Sequence, residues 1–331
     1  MHADVRGLVS MLLLVTCVVT ASAQPVRQIP LKPANATLNA EFVGITSVRE
    51  VADGRVIVTD GRDQQLYVAD FRANTAAILG SKGKGPREWL NVGFVHGLPG
   101  DSSIMGDFGN GRLVLFEGAR IVGLLAPDHP ATRALLYAMS GGDRLGHLLS
   151  RKDNPADAAK LEFTRADSSA LVLVALSTGR LDTVAQLRQR PRRVELLRGS
   201  DGKTHGRQVS PSEPNAQEEI AHLFGDGWIS VVRLEPLRVD WRSPDGRWTR
   251  GSPFPLRPLL VDARERKAIE ARRAQSREEF RRYLVINRAG NIDGEIAVGA
   301  REDIMGFGPR SVYIAFKDDD DIQRLRRHPW P

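Results

Sequence analysis

The chain has 331 residues, 41% of them hydrophobic, with 47 Lys and Arg against 40 Asp and Glu for a formal net charge of +7; a chain of this length can bury a core without disulfide staples. Its one cysteine, Cys17, falls in an apolar leader, so disulfides, cysteine zinc sites and thiol nucleophiles are excluded from the mature protein. The basic balance would suit nucleic acid, but an export leader carries the chain away from it, leaving anionic envelope polymers or lipid headgroups within reach.

The leader is read from Arg6, the apolar run Leu8 to Thr20 and the small-residue cleavage site Ala21-Ser22-Ala23. These define a signal peptide over residues 1–23, with Gln24 the first mature residue. The run is too short to span a bilayer, so no transmembrane segment is expected and the location is the periplasm or the outside of a bacterial cell. The alternative, lipidation of Cys17 within Leu14-Val15-Thr16-Cys17, is disfavoured by the Thr and by the apolar residues that continue past it.

Laid on itself at an offset of 47 residues, the first half repeats: Val48 falls on Val95, Ile57 on Ile104, Asp60 on Asp107, Leu66 on Leu113 and Asp70 on the acidic Glu117. A unit of this length holding several short strands is the sequence signature of a propeller blade. The first unit reads as strands at 46–51, 55–60, 65–71 and 75–79, with Asp, Gly and polar residues at the turns. The second unit repeats this at 103–107, 112–117 and 120–125. Farther on the consensus fades: a hairpin is expected at 169–176 and 180–187, a meander at 220–224, 228–234, 237–241 and 247–249, and a polar loop at 151–160. Asp262-Ala263-Arg264-Glu265 is a capping-box signal that opens a charged helix from Ala263 to about Leu284. Strands resume at 283–287, 295–299 and 311–316, and pairing of Val26 to Leu31 with the last sheet would close the ring and cover two sheet edges.

The run from Val48 to Phe71, followed by "ILGSKGKGPREW", resembles blades of exported bacterial six-bladed β-propellers related to NHL repeats, in the TolB-like superfamily. Glu88 and Trp89 stand at that family's acidic and aromatic positions, Arg87 replaces its usual small residue, and the tail from Arg310 to Pro331 looks like its closing strand and terminal segment. The resemblance implies an all-β propeller over residues 24–331, six-bladed with one degenerate or incomplete blade, and with the charged helix at about 263–284 inserted.

Gly80-Ser-Lys-Gly-Lys-Gly85 looks like a phosphate loop, but Pro86 and Arg87 stand where the P-loop needs Lys and a hydroxyl. It reads instead as the connector between two blades. Such connectors share one face of a propeller with the turns between second and third strands, so Arg62, Lys82, Lys84, Arg87 and Arg112 are expected to converge there as an anion site, with Gly83 and Gly85 exposing amides and Trp89 offering a stacking face. Separately solvated cations are the simpler alternative. Asp60 and Asp107 are read as caps of turn amides, with metal binding as the other possibility. Asp318 to Asp321 lacks the spacing of an EF-hand loop, the histidines form no short metal motif, and no nucleophile elbow is present.

Two functions follow from the sequence. One is a non-catalytic binding propeller of the bacterial envelope, monomeric and without cofactor, whose partner is an anionic small molecule, a polysaccharide or an envelope protein. The other is a metal-dependent hydrolase or lactonase of the gluconolactonase-like propeller type, holding calcium or another divalent ion.

Overall fold

The computed structural model describes residues 11–14, 26–129, 131–132, 139–143, 146–152, 163–164, 168–189, 192–198, 204–211, 218–254 and 280–330. The expected signal peptide lies outside these residues except at Met11–Leu14, as do residues 153–160 of the expected loop and the expected helix up to residue 279.

Met11–Leu14 forms strand β1 and Ala36–Thr37 forms β2. The first meander is β3 (Ile45–Glu50), β4 (Val56–Asp60), β5 (Gln65–Asp70) and β6 (Thr75–Ile78); a short parallel pair, β7 (Ser81–Lys82) and β8 (Glu88–Trp89), follows it. The second meander is β9 (Val92–Gly97), β10 (Ser102–Asp107), β11 (Arg112–Glu117) and β12 (Arg120–Leu125). The third is β13 (Met139–Gly142), β14 (His147–Lys152), β16 (Ser168–Ala175) and β17 (Leu181–Arg188). A separate sheet joins β15 (Phe163–Thr164), β18 (Arg192–Arg198) and β19 (Thr204–Pro211). The fourth meander is β20 (Ile220–Leu223), β21 (Ile229–Leu234), β22 (Leu237–Arg242) and β23 (Trp248–Thr249). The chain ends with β24 (Arg281–Ile286) and β25 (Ile292–Val298), then β26 (Glu302–Phe307), β27 (Ser311–Lys317) and β28 (Gln323–Pro329).

The sheets are sandwiched one against the next because the second strand of each meander is apolar on both faces. In β4 all five residues are buried; Val56 and Val58 face the last sheet, where they meet Tyr313, Ala315 and Leu325, while Ile57 faces the second sheet and meets Trp89, Val95 and Met105. The same sharing runs on round the molecule. Ile104 and Leu113 meet Leu148 and Val172, Leu149 and Leu171 meet Ile229 and Val231, Val239 and Trp241 meet Leu284 and Ile286, and Val285 and Ile296 meet Val312 and Ile314. The first strands pack side by side on the inside, β26 beside β3, β3 beside β9, β9 beside β13 and β13 beside β20. Sheets stacked face to face in a closed circle, with their first strands innermost, are a β-propeller.

Closure differs from the sequence expectation. Gln28 bridges Glu295 of β25 in parallel, with Ile29 and Leu31 packed on that sheet's core, so the segment 26–31 extends the β24–β25 sheet. Ala36–Thr37 instead pairs with Arg326 and Arg327 of β28 and becomes the outer strand of the last sheet. Leu38 and Phe42, both buried, then carry the chain into the first meander. The expected helix is also corrected at its end: 281–284 belongs to β24, because Tyr283 to Ile286 are buried from both sides as a central strand requires and a solvated helix does not. Arg151 and Lys152, expected in a loop, complete β14.

Neighbouring sheets are latched by a repeated glutamine. Gln323 Oε1 accepts from the Ile45 amide at 2.6 Å, and Gln64 Oε1 accepts from the Val92 amide at 3.0 Å. Ile45 and Val92 open equivalent inner strands, so each glutamine fixes the start of the next sheet.

Candidate functional site

Asp60 and Asp107 are fully buried and do the same work in their two repeats. Asp60 accepts from the Val43, Gly44, Arg62 and Asp63 amides at 2.6, 2.9, 3.1 and 3.0 Å. Asp107 accepts from the Leu90, Asn91 and Asn110 amides and from Arg112 Nε. Each carboxylate ties the turn after its own strand to the segment that leads into the inner strand of the same sheet. Their oxygens are spent on backbone amides and, at Asp107, also on the Asn110 and Arg112 side chains, which accounts for these aspartates as caps and leaves little of either free for the ligand pair that the hydrolase reading would use. Among the described residues there is no group of three or more His, Cys, Asp or Glu placed to hold a metal ion.

The glycine-rich connector packs on the Asp107 turn, and the packing decides the role of each expected site residue. Trp89 is completely buried between the first and second sheets and donates its indole N–H to Gln64 O at 3.1 Å. It is a core anchor, not a stacking face. Gly80 has a φ of +83°, and a Cβ there would collide with the Trp89 indole, so glycine is needed for both reasons. Arg112, with only 11% of its side chain exposed, donates to Lys84 O, Gly85 O and Glu88 O at 3.0, 2.7 and 2.8 Å and to Asp107. A guanidinium so occupied holds the connector in place and has little left for a ligand.

The amides expected to cradle an anion are also taken. Gly85 N–H donates to Glu88 Oε2 at 2.6 Å and Gly83 N–H to Trp89 O at 2.9 Å. The Glu88 carboxylate lies where a Cβ on Gly83 would be, so the loop is folded round its own anion. This leaves Arg62, Lys82, Lys84 and Arg87, all exposed and without a side-chain hydrogen bond or ion pair among the described residues. They share one end of the sheets, since Gln64 joins the turn carrying Arg62 to Trp89 and Val92.

The central space carries a feature that no local sequence signal announces. On β9, Phe94 is 54% exposed and His96 lies two residues on; on β20, Ile220 and His222 form the exposed side of the strand. Both strands are innermost, so these side chains face the space the sheets enclose. Surrounding protein pushes the pKa of His96 from 6.5 down to about 4 by desolvation, with repulsion from His222 adding to it, and desolvation brings His222 to about 4 as well. His222 is therefore accessible along the channel yet poorly solvated, and it stacks edge-on against Phe224 at 4.7 Å. The two residues come from different repeats far apart in the chain, which is why their pairing is invisible in the sequence.

Both rings stay neutral in the fold at a pH where the unfolded chain already takes up protons. The stability present above pH 6.5 is accordingly lost as the pH falls from 6.5 toward 4. Thermal melts should be flat from pH 8 to about 7 and then fall through that window, while a His96→Gln/His222→Gln variant should fall less steeply. An identical slope in the variant would show that these rings do not carry the acid sensitivity.

No known protein family matches the chain, and no curated protein does. Solved structures similar to it include a candidate exported protein of Bacteroides fragilis, 10% identical, covering 92% of this chain and 99% of its own at a TM-score of 0.47. Others are the calcium-binding protein regucalcin of Agrobacterium tumefaciens, 10% identical with 92% and 97% covered at 0.36, and virginiamycin B lyase of Staphylococcus aureus, 9% identical with 88% and 97% covered at 0.46. Among the described residues no helix is long and apolar enough to cross a membrane.

Proposed function

We propose that the protein is a non-catalytic, six-bladed binding propeller of the bacterial envelope, exported by its leader, which takes a polyanionic ligand on the face bearing the connectors. The observation that supports this reading is the set Arg62, Lys82, Lys84 and Arg87: four exposed cations at one end of the sheets, none with an ion-pair partner. Other arginines are held in ion pairs, as at Arg233, Arg238 and Arg324. Unpaired cations on stiff turns form a site that a polymer with repeating negative charge neutralises without first breaking internal bonds. Trp89 and Arg112 belong to the frame beneath that site.

Dextran sulfate, which carries no carboxylate, is a suitable probe. Wild-type protein should be retained on it and released by added salt. A Lys84→Ala/Arg87→Ala variant should elute at lower salt with its melting temperature nearly unchanged, because exposed charges add little to stability. Elution of the variant together with the wild type would remove the connector face as the binding surface.

A further inference from the structure

We propose a second, separate binding site at the rim of the molecule, a cleft between the outer edges of two neighbouring sheets that takes a hexuronate, a sugar ring bearing a carboxylate. The cleft has a volume of about 350 Å³ and is lined by Val184 and Ala185 of β17, Arg233, Asp240, Trp248, Thr249 and Arg250. β17 and β23 are the outermost strands of the third and fourth meanders, so the opening lies on the periphery, away from the central space and in different blades from Arg62, Lys82, Lys84 and Arg87.

Three features make this a built site. Its floor is a fixed charge network: Arg233 donates to Glu219 Oε2 at 2.7 Å, to Gln186 O at 2.8 Å and to Asp240 Oδ2 at 3.4 Å. Arg238 and the Gly251 amide hold the same Asp240, which is 8% exposed. Charges fixed in this way present preset donors and acceptors to hydroxyl groups at small reorganisation cost. The β17 wall is irregular, because the register with β16 shifts at Val184 and leaves that residue unpaired; a bulge bends a strand and re-aims its side chains.

The third feature is the pair at the mouth. Trp248 is 41% exposed on a two-residue edge strand, with its indole in no aromatic pair among the described residues. Arg250, two residues on and also exposed, has no hydrogen bond or ion pair among the described residues. An indole face covers the C–H face of a pyranose, and a free guanidinium accepts a carboxylate as a fork. The threonine hydroxyl between them and the polar floor serve the ring hydroxyls. A purely apolar ligand would take water from the Asp240–Arg233 pair without replacing it, and a bare carboxylate would leave the indole uncovered.

Titration of the full chain with D-glucuronate, read by tryptophan fluorescence, should give a saturable change, with D-glucose and acetate each binding about tenfold or more weakly, the loss expected when one charged or stacking contact is missing. Arg250→Ala should bring glucuronate down to the level of glucose, and Trp248→Ala should abolish the signal and, by calorimetry, the binding. The Lys84→Ala/Arg87→Ala variant should bind glucuronate like the wild type, which separates this site from the connector face. Equal binding of acetate, full binding by Trp248→Ala, or no saturable response to glucuronate would each overturn the proposal.

Discussion

Trp89→Ala is expected to lower the stability of the folded protein by about 3–5 kcal/mol, the range for removing a large aromatic side chain from a packed core. The indole fills the space shared by Ile57, Leu66, Val92 and Met105 and supplies the N–H that satisfies Gln64 O. The substitution therefore leaves a cavity between two sheets and a carbonyl without its donor. Because Gln64 also latches the Val92 amide, the loss should spread to the start of the second inner strand. Denaturant unfolding followed by circular dichroism measures it, and Trp89→Phe, which keeps most of the volume, should lose clearly less. If Trp89→Ala were as stable as the wild type and lost only ligand binding, the buried anchor described above would be wrong.

Arg112→Met should cost about 3 kcal/mol or more, since taking one partner from a buried ion pair leaves the other charge uncompensated. Asp107 would keep its amide donors, but Lys84 O, Gly85 O and Glu88 O would lose theirs. The second readout is local. Freed from the guanidinium, the connector should open, and trypsin should cut at Lys82, Lys84 or Arg87 while the wild type resists. Arg112→Lys should lie between, because an ammonium cannot span the same acceptors. Lys84→Ala and Arg87→Ala, one at a time, should stay within about 0.5 kcal/mol of the wild type, as surface substitutions usually do. A melting curve of Arg112→Met that overlays the wild type would refute the assignment of Arg112 as the clasp of the connector.

These two residues also mark the limit of what the sequence could tell. Between Ile45 and Leu125 the strands other than β7, β8 and β9 were legible because two copies at the same offset reinforce each other, and the roles of Asp60 and Asp107 as caps followed from their place at equivalent strand ends. Trp89 and Arg112, expected as a stacking face and an anion ligand, instead serve the frame, since the same indole or guanidinium serves a ligand or a core according to tertiary packing alone. Outer and inner strands were harder still. β28, Gln323–Pro329, buries only Leu325 fully and so lacks the alternation that marks a strand. β26 has no fully buried residue. His96 and His222 face the same space only because the chain bends round to bring β20 near β9, and a histidine surrounded by strand residues carries no label of that.

The pairing of Ala36–Thr37 with Arg326 and Arg327 has a consequence for the life of the chain. Asn35 and Arg327, hydrogen-bonded at 3.0 Å, are 292 residues apart, so β2, made early, waits for β28 before it can pair. Until then Leu38, Phe42 and Val48 have no Tyr313, Ala315 or Leu325 to cover them, and the first meander stands with one greasy face open. Long loops add little to the equilibrium cost of closure but delay it, because local hairpins form first and distant ends meet last. A nascent polypeptide thus remains incompletely folded throughout synthesis, and one that stops short of Gln323 never acquires the final seam. The junction makes the covering of that apolar face conditional on residues from the far end of the fold, so a chain lacking Tyr313, Ala315 and Leu325 keeps it open.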